Sequence, residues 1–202
     1  MSAIRALDYE LDTSADPLHE VVRGLLRHLG EDVKRDGLVE TPRRVASSLR
    51  YLTEGYSIQP EDVVGGAMFD CESDGLVTVC DIPFYSLCEH HLLPFFGRTH
   101  IGYLPSGRVI GLSKLPRLVD VFAHRLQLQE RLTHQIAEAV LSVTEAAGAG
   151  VVMSARHLCV EMRGVGRQEP ETVTSALLGR LDTDATARAE FLDRVNASAR
   201  AR

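Results

Sequence analysis

The residue types best suited to chemistry are packed into Ser86-Leu-Cys-Glu-His-His-Leu-Leu-Pro-Phe95. Cys88, Glu89, His90 and His91 are four potential ligands or acid–base groups in a row. One soft thiolate three residues from an imidazole suits Zn2+. On a turn or a first helical turn, residues three apart are neighbours, so Cys88 and His91 share a side and His90 points elsewhere. A further ligand must come from a distance, and His157-Leu158-Cys159 holds another Cys–His pair. On a strand, residues two apart share a face, which predicts that His157 and Cys159 point the same way. Cys88, His91 and Cys159 then make three ligands with no clear fourth. Structural zinc sites close with four protein ligands, whereas catalytic ones keep a position open. His90 and His157 are left beside the metal as proton-transfer groups. Two other readings stand next to this one. Cys159 is a packing residue and Glu-His-His a solvated turn, or His90 closes the site as a fourth ligand.

Basic residues gather as Arg43-Arg44, as Lys114 with Arg117, and as Arg163 with Arg167, in a chain of net charge −6. Lys114 and Arg117 open a predicted helix just after Ser113. A helix N-terminus with a hydroxyl and two cations suits phosphate. Arg44 falls in the first turn of another predicted helix, where a cation opposes the macrodipole, so an anion nearby would suit it. Glu130 follows Gln129 at the start of a later helix. A carboxylate accepts two N–H donors side by side, and the N1–H and 2-amino group of guanine offer that pair. For each of these side chains simple surface solvation is the competing reading.

The elements that must position these groups are readable from period and punctuation. Asp16-Pro17 starts a helix carrying Leu18, Val21, Val22, Leu25, Leu26 and Leu29, and Gly30 stops it. Thr41-Pro42 starts a second, with Val45, Leu49 and Leu52, ending at Gly55. Leu76–Cys80 reads as a strand. Thr99–Leu104 and Arg108–Leu112, joined by Pro105-Ser-Gly107, read as a hairpin. A helical stretch from about Lys114 to about Ala147 is out of phase near Arg125–Leu128, which predicts two helices or a kink, with Gly148-Ala-Gly150 as the stop. Gly150–Ser154 and His157–Met162 read as a second hairpin. A last helix starts near Asp182, with a stripe of Phe191, Leu192 and Val195. This order is that of an α+β protein with an antiparallel sheet.

The chain has 202 residues, 45% of them apolar and 25% charged, which excludes disordered and fibrous classes. No apolar run reaches the ~18–20 residues of a membrane helix, and residues 1–15 read as a mobile tail without a secretory signal. The expected compartment is the cytoplasm, where Cys71, Cys80, Cys88 and Cys159 would not form a disulfide framework. The acidic balance argues against a nucleic-acid partner. The standard phosphate loops, G-x-x-x-x-G-K-[ST] and G-x-G-x-x-G, are absent. So is the H-x-E with P-C-x-x-C signature of zinc deaminases.

Taken together, the motifs resemble those of the zinc-dependent GTP cyclohydrolase I family. Those that match, in family order, are Glu40-Thr-Pro-Arg-Arg-Val45, Ser86 to Phe95, His100-Ile-Gly-Tyr-Leu-Pro105, Gly111-Leu-Ser-Lys114, Gln129-Glu-Arg-Leu-Thr133, Met162-Arg-Gly-Val165 and Thr172-Val-Thr-Ser175, covering about residues 17–195. The resemblance implies a tunnelling fold, an antiparallel sheet with helices on one side and an N-terminal helical extension. It divides the chain into a helical region, residues 1–60, and a catalytic domain, residues 61–202. It implies a homo-oligomer, usually a decamer, with active sites between subunits. It also implies opening of the imidazole ring of GTP with release of formate, giving 7,8-dihydroneopterin triphosphate for pterin and folate synthesis. By position it makes Cys88, His91 and Cys159 the zinc ligands, His90 and His157 the catalytic histidines, and Glu130 the guanine anchor. Ser113 and Gln129 lie near the nucleotide. Lys114, Arg117, Arg163 and, from a neighbouring subunit, Arg44 contact the triphosphate. Departures from the pattern are Pro116, tolerable only in a first helical turn, the Gln168-Glu-Pro-Glu171 stretch, and Leu181 where an aromatic is common. Cys71 and Cys80 match no motif and read as packing. Two rivals remain: an enzyme of the same fold acting on another substrate or halting at an earlier intermediate, and a non-catalytic zinc scaffold.

Overall fold

A computed structural model describes residues 16–163 and 171–200. The expected tail at residues 1–15, Arg167, and Gln168 to Pro170 lie outside the described residues. The chain forms two compact units, divided between Thr53 and Glu54.

The first unit is a helix pair, α1 (Leu18–His28) and α2 (Thr41–Leu52). Asp16 caps α1 by accepting a hydrogen bond from Leu18 N at 2.9 Å. Arg50 of α2 donates to the same carboxylate at 3.2 Å from two nitrogens. Gly30, at φ 86°, turns the chain after α1. Val22 and Ala46 are buried, but among the described residues Val21, Leu25 and Leu29, half of the apolar stripe of α1, stay 64%, 55% and 69% exposed.

The second unit begins with a 3-10 turn (Glu54–Ser57) and α3 (Pro60–Val64). There follow β1 (Met68–Asp70), β2 (Val77–Cys88), β3 (Pro94–Leu104), β4 (Arg108–Ile110), α4 (Lys114–Ala123), β5 (Leu126–Gln127), α5 (Gln129–Thr144), β6 (Gly148–His157), α6 (Leu158–Glu161), β7 (Glu171–Gly179), α7 (Arg180–Thr183) and α8 (Ala185–Arg200). The main sheet has the order β5-β2-β3-β6-β7 and is antiparallel except for the short β2–β5 pair; β1 and β4 form a separate ribbon. The class is α+β, as expected. Among the described residues no helix is long and apolar enough to cross a membrane.

The strands are longer than their alternation suggests. In β2, Asp81 sits at φ 62° and the register slips between Val79 and Ile82. A bulge of this kind adds one residue and shifts the phase by one. Val77 and Val79 therefore face the same core as Ile82 and Phe84, and the strand runs on to Cys88. Neither expected hairpin forms. The turn at Pro105-Ser-Gly107 is present, with Gly107 at φ 83°. However, β2 occupies one edge of β3 and β6 the other. The chain after the turn has no free edge to join, and it pairs with Met68–Asp70 instead. Likewise Gly150–Ser154 and His157–Met162 are not two strands: β6 is a single strand between β3 and β7, and α6 follows it.

The out-of-phase helical stretch resolves into α4 and α5, with Pro116 inside the first turn of α4. Glu145, in the left-handed conformation, ends α5; Gly148-Ala-Gly150 belongs to β6, not to a helix stop. Leu115, Leu118 and Val119 of α4 and Leu132, Ile136 and Val140 of α5 pack on the sheet face bearing Phe84, Phe95, Ile101, Tyr103, Val151 and Met153. Helix α8 covers part of the opposite face, where Phe191, Val195 and Leu181 bury against Leu76 and Leu104. A Cβ at Gly102 or Gly150 would come within 2.5 Å or 2.9 Å of the Phe191 ring, so glycine permits this packing. The cap of α8 is Asp184, accepting from Thr186 N at 2.9 Å and Ala187 N at 3.2 Å, rather than Asp182. Leu192 is exposed, outside the buried stripe.

The β3–β6 pairing leaves no space at Gly97, where a Cβ would lie 2.7 Å from Ala155 Cα and closer still to Ser154 O. Both obstacles are backbone, so neither can turn aside. Gly97→Ala is expected to cost about 1–3 kcal/mol of stability, read as a lower midpoint in thermal unfolding of the full chain.

Candidate active site

The register of the sheet gathers the candidate groups at one end. Leu87 pairs with Pro94, and Phe95 with His157. The end of β2, the start of β3 and the end of β6 are thus adjacent. Ser86, buried at the end of β2, donates from Oγ to Ala123 O at 2.7 Å, which fastens this end to the C-terminus of α4.

Cys88 is buried and closes β2; its N–H donates to Leu93 O at 2.9 Å. Leu92 and His91 donate back to Cys88 O at 2.8 Å and 3.3 Å, forming a tight turn with Leu92 at φ 54°. The turn sets His91 Nδ1 3.8 Å from Cys88 Sγ. Cys159 arrives by another route than expected. It does not share a strand face with His157. Its chain has left β6 and turned into α6, with Met162 N donating to Leu158 O at 2.9 Å. The ligand atoms of Cys88, His91 and Cys159 all lie within 4.8 Å of one another. Arg163, just beyond α6, contacts His91 Nε2, so Nδ1 is the nitrogen turned to Cys88.

The electrostatics of this cluster fit a divalent cation. Burial pushes the Cys159 thiol up, and the neighbouring Cys88 pushes it further. Two thiols so close resist joint ionisation, and a bound cation reverses that preference by stabilising both thiolates. Desolvation, then the charges of Arg163 and His90, hold His91 below the usual imidazole range, favouring the neutral ring that a metal binds.

His157, the last residue of β6, stacks on Phe95 with centroids 4.7 Å apart and planes 2° from parallel. Its Nε2 lies 2.8 Å from Gln129 Oε1. Burial lowers its pKa, outweighing the opposing charges of Glu130 and Glu161. Glu130 is exposed on the first turn of α5, close enough to act on His157. His90 is 62% exposed, its ring 6.0 Å from that of His91 at 83°. Glu89 does not join the cluster; it pairs with Arg131, which also donates to Gln127 Oε1 at 3.0 Å.

The remaining candidates lie elsewhere. Ser113 precedes α4, and Lys114 Nζ donates to Val63 O at 2.9 Å. α4 has ten residues, a length of about 15 Å, and its other end is the one fastened to Ser86. Ser113 and Lys114 thus lie at the end of α4 opposite the one fastened to Ser86, with Arg117 one turn further along. Arg44 is exposed on α2. The sequence reading missed Phe95, Ser86 and Arg131. For Phe95 and Ser86 the signal was present, since both flank the Cys-Glu-His-His run.

Among the described residues, two thiols and an imidazole gather at one end of the sheet without a fourth protein ligand, a cluster that could hold a metal ion. The sequence matches the family described as GTP cyclohydrolase I over residues 18–196. It is 52% identical over 176 residues to GTP cyclohydrolase 1 of Leptospira biflexa, covering 87% of this chain and 96% of the relative. It is 51% identical over 181 residues to GTP cyclohydrolase 1 1 of Pseudomonas aeruginosa, covering 90% and 97%. GTP cyclohydrolase 1 of Hahella chejuensis is 50% identical over 181 residues, covering 90% and 96%. The chain belongs to the GTP cyclohydrolase I family, a family of enzymes.

Loading the metal-free protein with Co2+ is expected to produce a thiolate-to-metal charge-transfer band. Cys88→Ala or Cys159→Ala should each weaken it strongly while far-ultraviolet circular dichroism stays unchanged.

Proposed function

We propose that this protein hydrolyses GTP at C8 of the guanine ring, releases formate and forms 7,8-dihydroneopterin triphosphate. The observation that carries the reading is the convergence of Cys88, His91 and Cys159 within 4.8 Å, with His157 two residues before Cys159, in a member of this family. The donor set, two soft thiolates and an imidazole, suits zinc. Zinc held there supplies Lewis acidity, bringing the ionisation of water close to neutral pH.

The chain's own residues do the rest. C8 of a purine is a poor electrophile until N7 is protonated, and His90, exposed at the cluster, donates that proton. Glu130 accepts the N1–H and 2-amino hydrogens of guanine, fixing the base by two parallel bonds. His157 serves the later proton transfers of ring opening and ribose rearrangement. Arg163, Lys114, Arg117 and Arg44 neutralise the triphosphate, with Ser113 adding a hydroxyl.

Ser113 and Lys114 occupy the end of α4 opposite the one fastened to Ser86, which supports a triphosphate site that draws on more than one chain. We therefore propose a homo-oligomer, a decamer by family habit, in which a neighbouring copy completes the site. Support comes from the exposed Val21, Leu25 and Leu29 of α1, an apolar stripe of the kind that subunit contacts bury. In this reading residues 61–202 carry the chemistry, residues 1–60 serve assembly, and the enzyme works in the cytoplasm with neither nucleic acid nor membrane as partner.

Incubation of the zinc-loaded protein with GTP should yield formate and, after oxidation, fluorescent neopterin. Formate without neopterin would indicate an enzyme that halts after ring opening, and neither product would refute the reading. His90→Ala is expected to keep its metal while kcat falls about 10²–10⁴-fold; near-normal turnover would remove His90 from the acid role.

A further inference from the structure

The side chain of Gln129 is engaged inside the protein. It is 1% exposed. Its Nε2 lies 2.9 Å from Thr172 O, 3.2 Å from Met153 O and 3.1 Å from Thr174 Oγ1. Two of these are main-chain carbonyls, which only accept, so the amide nitrogen must face them. The opposite orientation would set the amide oxygen against two carbonyl oxygens in a buried place and leave all three without a donor.

The hydroxyls agree with this direction. Thr133 Oγ1 is 2.7 Å from Gln129 O and donates to it. Thr174 Oγ1, 2.6 Å from Thr133 Oγ1, then donates to Thr133 and keeps a lone pair toward Gln129 Nε2, whose two hydrogens are shared among three acceptors. The carboxamide is held from both β6 and β7, and its oxygen is left facing His157 Nε2 at 2.8 Å. An amide oxygen cannot donate, so the hydrogen in that bond belongs to the imidazole. In a neutral ring Nδ1 is then bare. The parallel Phe95 ring at 4.7 Å holds the plane in which that lone pair lies.

We infer that Gln129 is a positioning residue, which locks His157 as its Nε2–H tautomer and so presents Nδ1 as the atom that meets the substrate. This deepens the proposed function and rests on its reading of His157 as a proton-transfer group. It also replaces the expected contact between the Gln129 side chain and the nucleotide, because both ends of the carboxamide are occupied within the protein.

The test is solid-state NMR of the full-length, zinc-loaded protein carrying 15N-labelled histidine. The His157 signals are identified by their loss in His157→Asn. The expected result is a protonated Nε2 and an unprotonated Nδ1. An Nδ1–H tautomer would overturn the inference. Gln129→Leu should give mixed His157 tautomers and lower kcat by about 10–100-fold, with KM for GTP little changed. A raised KM with kcat retained would instead make Gln129 a nucleotide contact and overturn the inference. Thr174→Val leaves both carbonyl acceptors in place and should retain the Nε2–H tautomer; its loss there would contradict the carbonyl clamp. Active wild type with the Nδ1–H tautomer sinks this inference alone. Inactive wild type with the Nε2–H tautomer sinks the proposed function and leaves the clamp standing.

Discussion

The site depends on the double pairing of β3. With β2 along one edge and β6 along the other, the register Leu87 to Pro94 and Phe95 to His157 is set over the whole strand. A slip of one residue would turn every side chain of a strand to the other face. It would carry Phe95 out of the core and away from His157 together. The same pairing brings the Cys88 turn and α6 to one end of the sheet, although Cys88 and Cys159 are 71 positions apart. The candidate metal ligands therefore come from the last residue of β2, the turn after it and α6, held in place by the strands of the ladder.

Around this frame burial acts on the titratable groups. It disfavours the charged form of His157, against the pull of Glu130 and Glu161. Cys159 is driven toward its neutral thiol by burial and by Cys88, a preference a cation would reverse. Glu89 is kept out of the cluster by Arg131.

The sequence made the participants legible more readily than the path between them. Cys88, His91 and Cys159 stood out by residue type, and the turn joining the first two followed from their spacing. The route to Cys159 did not, because the two-residue rule holds only while the strand continues, and nothing local marks its end at His157. The long β2 was hidden by the Asp81 bulge, which breaks the alternation on which strand recognition relies. The failed hairpins share one cause: whether two adjacent strands pair depends on which edges are free, and that is a property of the whole sheet. The helix starts after Asp16 and at Thr41 were legible because the Asp16 cap and the prolines at positions 17 and 42 act locally. The burial of Gln129 was not, since a glutamine at a helix start looks like surface until the strands behind it are known.

The most direct test of the account is to titrate Zn2+ into metal-free protein and measure formate release from GTP at each step. The account predicts that the rate rises in proportion to bound metal and saturates at about one ion per chain, with no comparable rise in Cys159→Ser. Formate release at full rate from metal-free protein would contradict it.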